Sequence, residues 1–110
     1  MVSKQSTIDF ILDQIRDAGD VSARKMFGEY CVYCGRKVVG LVCDDRLFVK
    51  KTDAGKTYVV RCIEKSPYDG AKPCFLISQK RIENRDWITE LIRITSSELL
   101  EPPPKKTRPK

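Results

Sequence analysis

Apolar residues near the start of the chain recur with the period of an α-helix. They fall at positions i, i+3, i+4 and i+7, with charged and amide side chains between them: Ile8, Ile11, Leu12 and Ile15. This spacing predicts an amphipathic helix over residues 6–18 that packs one apolar stripe on a core. Ser6 or Thr7 is the expected N-cap, and Gly19 suits the end of the helix.

Beyond residue 24 the apolar period shortens to two, which is typical of β-strands. The alternating runs predict strands over residues 29–34, 37–43 and 46–50. Because the breaks between these runs are so short, consecutive strands should pair as antiparallel hairpins.

Residues 38–43, Val-Val-Gly-Leu-Val-Cys, form an apolar run with no polar face. Such a run is typical of a central strand that is covered on both sides of the sheet. The helices would cover one side. We expect a short segment, or a second copy of the chain, to cover the other side.

The second half of the chain ends in another predicted helix. Asn84 is the expected N-cap of a helix over residues 85–100, with Trp87 beside an apolar stripe that consists of Ile88, Leu91, Ile92, Thr95 and Leu99. The segments before it are interpreted as a strand over residues 57–63, a buried strand over 74–78, and loops over 51–56 and 65–73.

The order of elements is helix, strand meander, strand and helix, which indicates the α+β class. We expect an antiparallel sheet of about four to five strands, packed with an N-terminal and a C-terminal helix, in one domain over residues 1–100. Residues 101–110 contain four of the six prolines and no apolar period, which predicts a disordered basic tail.

The positive charge of the chain is unevenly distributed. The sequence has 21 Lys and Arg against 15 Asp and Glu, a net charge of +6. Residues 101–110 carry half of it, a net +3, since one acid accompanies Lys105, Lys106, Arg108 and Lys110. These four side chains are therefore the candidate nucleic-acid contacts.

The chain contains no histidine, which excludes catalytic sites of the Ser-His-Asp and Cys-His types. No apolar run approaches the roughly 20 residues of a membrane helix, and the first residues contain no signal-peptide core, so we expect no membrane association. Five cysteines without an export signal predict reduced thiols in a cytoplasmic protein.

Cys31-Val32-Tyr33-Cys34 matches the CxxC pattern of redox and metal sites. Redox pairs of this kind lie at helix N-termini, whereas this motif lies in a predicted strand, where positions i and i+3 face opposite sides of the sheet. A turn containing Gly35 is the feature that would redirect the Cys34 thiol. We interpret the cysteines as structural thiols and predict no metal, cofactor or catalytic residue.

Two other groups have plain structural interpretations. Asp44 and Asp45 are interpreted as turn formers, because aspartate tolerates turn geometry and bonds to its own backbone. Met26 and Phe27, which follow two basic residues, are interpreted as core.

Four ordered segments carry a resemblance to a known family. They are Arg-Lys-Met-Phe-Gly at 24–28, Asp-Asp-Arg-Leu-Phe-Val-Lys at 44–50, Pro-Tyr-Asp-Gly-Ala-Lys-Pro at 67–73 and Asp-Trp-Ile at 86–88. Together they resemble small single-domain members of the TfoX/Sxy family, of the N-terminal-domain type, over residues 7–110. The resemblance implies an α+β domain with terminal helices on an antiparallel sheet, a link to regulators of natural competence for DNA uptake, and no assigned catalytic residue.

The leading hypothesis is a small, non-catalytic regulatory module that binds an unidentified protein partner. Tyr68, Asp69 and Lys72 in the 65–73 loop are the candidate partner-binding residues. The alternative is weak, sequence-independent nucleic-acid binding through the tail. A third hypothesis is a thiol redox or metal protein that uses Cys31 and Cys34. The sequence also allows a homodimer.

The tail hypothesis predicts how DNA binding depends on salt. Four tail cations neutralise at most four phosphates, so the slope of log affinity against log salt on duplex DNA should be no steeper than roughly −4. Deleting residues 101–110 should abolish this binding without changing the fold, as measured by fluorescence anisotropy and circular dichroism. Sequence-preferring DNA binding by the truncated chain would contradict the hypothesis.

Overall fold

The computed structural model describes residues 3–26 and 29–99. In chain order the elements are α1 (Gln5–Ile15), β1 (Val21–Met26), β2 (Glu29–Cys34), β3 (Lys37–Cys43), β4 (Arg46–Val49), α2 (Asp53–Val59), β5 (Ile63–Lys65), β6 (Cys74–Ile77), α3 (Gln79–Glu83) and α4 (Arg85–Glu98). A single 3₁₀ turn, Arg16–Ala18, extends α1. The predicted tail lies outside the described residues.

All six strands join one antiparallel sheet in the order β1-β2-β3-β4-β6-β5. β2, β3 and β4 form the predicted meander, and β1 extends it at one edge of the sheet. β6 adds to β4 after the chain has passed through α2 and β5. The α+β class is confirmed, with a strand count slightly above the predicted four to five.

The β3–β4 turn confirms the interpretation of the aspartate pair. Asp44 and Asp45 have φ values of 54° and 60°. Two consecutive residues with positive φ are what a two-residue type I′ hairpin requires.

The segment predicted as a strand over residues 57–63 begins inside α2 and reaches a strand only at Ile63, so that prediction was wrong. The loop predicted over residues 51–56 was also wrong, because α2 begins at Asp53. The Thr52 side chain caps α2 by accepting a hydrogen bond from the Gly55 N–H at 2.9 Å. The buried face of α2 includes Gly55, which has no apolar side chain, so the sequence of α2 shows no clear helical period. The β-branched residues of this segment favoured the prediction of a strand. The helix ends at Val60, whose φ of 61° is rare for a β-branched residue.

Three short elements were not predicted: β1, β5 and α3. β1 and β5 are the edge strands, and neither contains a fully buried residue. Three of the six residues of β1 and two of the three residues of β5 are polar, which weakens the apolar period. α3 is capped by the Ser78 side chain, which accepts a hydrogen bond from the Arg81 N–H.

One hydrophobic core lies between the helices and the sheet. The stripes of α1 and α4 pack together in it, as predicted. Its largest fully buried side chains are Ile8, Ile11, Ile15, Val32, Val39, Val42, Leu47, Val49, Phe75, Ile88, Leu91 and Ile92. Gln14, placed by periodicity on the polar face of α1, is also buried, and its amide donates to the Ile82 carbonyl at 2.9 Å.

A residue from another element holds the start of α1. Lys4 is the N-cap, so the prediction of Ser6 or Thr7 was wrong. The Asp45 carboxylate accepts hydrogen bonds from the Lys4 backbone N–H at 2.7 Å and from the Thr7 hydroxyl at 3.0 Å. These two bonds hold the pKa of Asp45 below its ordinary value.

Within residues 3–26 and 29–99, no helix has the length and apolar character that a bilayer crossing would need.

The packing of α4 predicts a large effect of truncating Leu91, which has no exposed surface. Leu91→Ala should lower the free energy of unfolding by about 2–5 kcal/mol, because the side chain leaves a cavity in the core. Urea denaturation measures this loss. Ile63→Ala is the control: this side chain is 68% exposed, and its loss should cost less than about 1 kcal/mol. Equal losses in the two variants would contradict the two-helix layer.

Candidate functional site

The strand register places a row of side chains on the face of the sheet away from the helices. Residues opposite each other in an antiparallel pair share a face. The row from β1 to β5 is Arg24, Cys31, Leu41, Phe48, Leu76 and Ile63. Three of these residues, Leu41, Phe48 and Leu76, belong to a second apolar cluster that is separate from the core. Its other two members are Cys43 and Cys74. We call this surface the helix-free face.

The 66–73 loop lies over part of the helix-free face, which matches the expectation that a short segment covers it. Pro67 and Tyr68 stand beside Leu41. The loop is held by its own hydrogen bonds: the Ser66 hydroxyl donates to the Ala71 carbonyl at 2.8 Å, and the Ala71 N–H donates to the Tyr68 carbonyl at 3.1 Å. Gly70 supplies the φ of 90° that this reversal requires.

The loop leaves an apolar groove of about 360 Å³ open on its β1–β2 side. The lining residues are Met26, Glu29, Tyr30, Cys31, Leu41, Cys43, Pro67 and Tyr68. Met26 is 40% exposed and Tyr68 is 60% exposed at its rim. The interpretation of Met26 as core was therefore wrong, because β1 is an edge strand. Phe27 lies outside the described residues.

A basic cleft of about 650 Å³ lies on the other side of Pro67 and Tyr68. Three lysines line it: Lys50, Lys51 and Lys72. The Lys51 ammonium pairs with the Glu64 carboxylate at 2.9 Å. Among the described residues, neither of the other two lysines forms an ion pair.

The groove has a fixed negative charge at its far end. The Glu29 carboxylate accepts hydrogen bonds from the Ser3 hydroxyl at 2.7 Å and from the Asp44 N–H at 3.3 Å. Asp44 also pairs with Arg46 at 3.7 Å. The groove is thus lined by one carboxylate, Glu29, near the β3–β4 turn, and lysines line the cleft beyond the loop.

The three loop residues proposed from the sequence have different positions. Tyr68 lines both the groove and the cleft, and Lys72 lines the cleft. Asp69 is exposed and lines neither of them. The four tail residues, Lys105, Lys106, Arg108 and Lys110, lie outside the described residues.

The CxxC motif is divided between the two faces of the sheet, as the strand geometry predicts. Cys31 lines the groove, 3.9 Å from the Met26 sulfur, whereas Cys34 lies in the helix-side core. The described residues contain no group of three potential metal ligands close enough to hold an ion.

Burial suppresses ionisation of the thiols on the helix-free face. Burial, assisted by the nearby Glu29 carboxylate, raises the pKa of Cys43 to about 11. Burial also raises the pKa of Cys31 and of Cys74, and the Lys50 ammonium offsets part of the rise in both. Since the thiolate is the reactive form, these thiols are weak nucleophiles at neutral pH.

Sequence reasoning missed most of the groove. Met26, Leu41 and Cys31 come from three strands, and only the register brings them under the loop. The apolar run at 38–43 indicated that something covers the second face of the sheet. It did not indicate which segment does so or where the groove lies.

The divided CxxC motif predicts that Cys31 and Cys34 do not act together. A chelator should leave the melting temperature unchanged, purified protein should hold no stoichiometric zinc, and mild oxidation with diamide should form no Cys31–Cys34 disulfide. Mass spectrometry after alkylation checks the disulfide, and the chain unfolded in guanidinium, which frees both thiols, is the positive control. Zinc near one equivalent per chain would contradict the prediction.

Comparison with known proteins agrees with this architecture. The family model of the TfoX N-terminal domain matches residues 13–98, from within α1 to the end of α4. The chain is also 34% identical, over 110 residues, to a protein of Spirochaeta aurantia described as an uncharacterized 12.7 kDa protein in the trpE 5' region, and the alignment covers all of this chain and 95% of that protein. The chain belongs to the TfoX N-terminal domain family.

Proposed function

We propose that this protein is a small cytoplasmic regulatory module that performs no catalysis and acts by binding a protein partner on its helix-free face. The observation that carries the proposal is the apolar groove between Met26 on β1 and Tyr68 on the loop. Family membership supports a regulatory role through the resemblance to competence regulators.

The exposed apolar surface of the groove favours a macromolecular partner. Leaving such surface in water costs about 25 cal/mol per Å², and contiguous exposed patches commonly mark interaction sites. Its two rim residues suit this role. Methionine adapts to irregular partner surfaces, and tyrosine offers a large apolar ring with a polar tip.

The chemistry of the groove supports binding without catalysis. Both thiols that line it, Cys31 and Cys43, have raised pKa values, which lowers the thiolate fraction available for attack. The Glu29 side chain is engaged by hydrogen bonds from the Ser3 hydroxyl and the Asp44 N–H. The sequence supplies no histidine to act as a base.

Site-specific photo-crosslinking in the source organism tests the proposal. Tyr68 is replaced by p-benzoylphenylalanine, which preserves an aromatic ring at the rim of the groove. The matched control replaces Phe10, an aromatic residue that is 40% exposed on α1. We expect a discrete protein adduct from position 68 that survives nuclease treatment, and none from position 10.

Two outcomes would contradict protein binding at this face. Adducts of the same pattern from both positions would indicate nonspecific contact. An adduct at position 68 that nuclease digestion removes would favour the nucleic-acid alternative.

A further inference from the structure

We propose that the partner presents an extended acidic segment, with an apolar side chain in the groove and carboxylates over Lys50 and Lys72. This inference rests on the proposed function and adds the chemistry of the partner. It follows from the charges on either side of the loop.

The groove and the basic cleft form one continuous surface. Leu41, Pro67 and Tyr68 line both of them, so the loop acts as a ridge with the groove on one side and the lysines on the other. A peptide that crosses Tyr68 in an extended conformation contacts both within a few residues, because successive residues advance about 3.3 Å.

The cleft has cationic groups available for a ligand. Lys51 is occupied by Glu64, but among the described residues Lys50 and Lys72 have no carboxylate within 4.0 Å. The Lys50 ammonium also lies near enough to the half-buried Cys31 thiol and the buried Cys74 thiol to influence both. A carboxylate here therefore meets cations beside apolar protein, where attraction is stronger than in open water.

The opposite end of the groove sets the direction of the segment. The Glu29 carboxylate lies at the β3–β4 turn, where the Ser3 hydroxyl and the Asp44 N–H hold it, while the Asp44 carboxylate pairs with Arg46. A carboxylate at that end is repelled. The acidic residues of the partner must therefore lie on the loop side of its apolar anchor.

The same asymmetry disfavours a nucleic-acid ligand. A polynucleotide carries a phosphate on every nucleotide, so a strand that crossed the ridge would place phosphates beside Glu29 as well as beside the lysines. A peptide can restrict its charge to one side. We therefore favour a peptide, and nucleic acid is an outcome of the test.

The test uses two random libraries against the full-length chain: displayed 12-residue peptides and single-stranded DNA. We expect enrichment of peptides that place acidic residues on one side of an apolar residue, and no enriched DNA. The most enriched peptide, made synthetically, should bind K50E/K72E about tenfold more weakly than the natural chain in fluorescence anisotropy. Tyr68→Ala should also weaken it.

The control variant is R36E/K80E, which makes the same charge change at two exposed residues that line neither the groove nor the cleft. It should change the affinity less than twofold. Thermal melting verifies that both double variants fold. If K50E/K72E does not fold, the single variant K72E is tested instead, with K80E as its control. Sedimentation of the natural chain checks for a second copy in the groove: a dimer that Tyr68→Ala converts to monomer would overturn the proposal.

The remaining outcomes separate this inference from the proposed function. Peptides that lose affinity with Tyr68→Ala but show no acidic bias and no response to K50E/K72E would overturn the inference and leave the function standing. Peptides whose affinity is unchanged by Tyr68→Ala, or the absence of any enriched peptide, would overturn both the inference and the proposed function. Enriched DNA that binds the natural chain but not K50E/K72E would overturn the inference, because the ligand of this surface would then be a nucleic acid and not a peptide.

Discussion

The need to cover both faces of one sheet is the constraint on which this structure depends. The two central strands bury apolar side chains on each side: Val42 and Leu47 face the helices, while Leu41 and Phe48 face away. α1 and α4 cover the first side with a continuous core. Among residues 3–26 and 29–99, the 66–73 loop covers part of the second side and leaves the groove open.

The incomplete cover explains both the stability and the chemistry of the second face. Burial raises the pKa of Cys31, Cys43 and Cys74 on this face, which lowers their thiolate fraction at neutral pH. The loop presents Tyr68 outward, between an apolar groove and two available lysines. An exposed apolar surface that is asymmetric in charge is suited to recognition, since it offers an anchor and a direction to one ligand.

The sequence by itself determined the elements whose signals are local. The 3.6-residue period predicted α1 and α4, Asn84 caps α4 as expected, and its side chain accepts from the Trp87 N–H at 3.2 Å. Alternation and short breaks predicted the central hairpins, and the run at 38–43 predicted a sheet that needs two covers. The ordered motifs identified the family. All of these depend on residues close together in the chain.

Only the tertiary structure decided which distant residues meet. Asp45 caps α1, Gln14 is buried against α3, and α2 replaces a predicted strand because its face packs beside α4. The groove joins Met26 to Tyr68 through strand register and the path of the loop. Periodicity indicates which side of a helix or strand is apolar, but it does not indicate which element packs against that side. The pairing register and the path of the loops are set by packing over the whole chain.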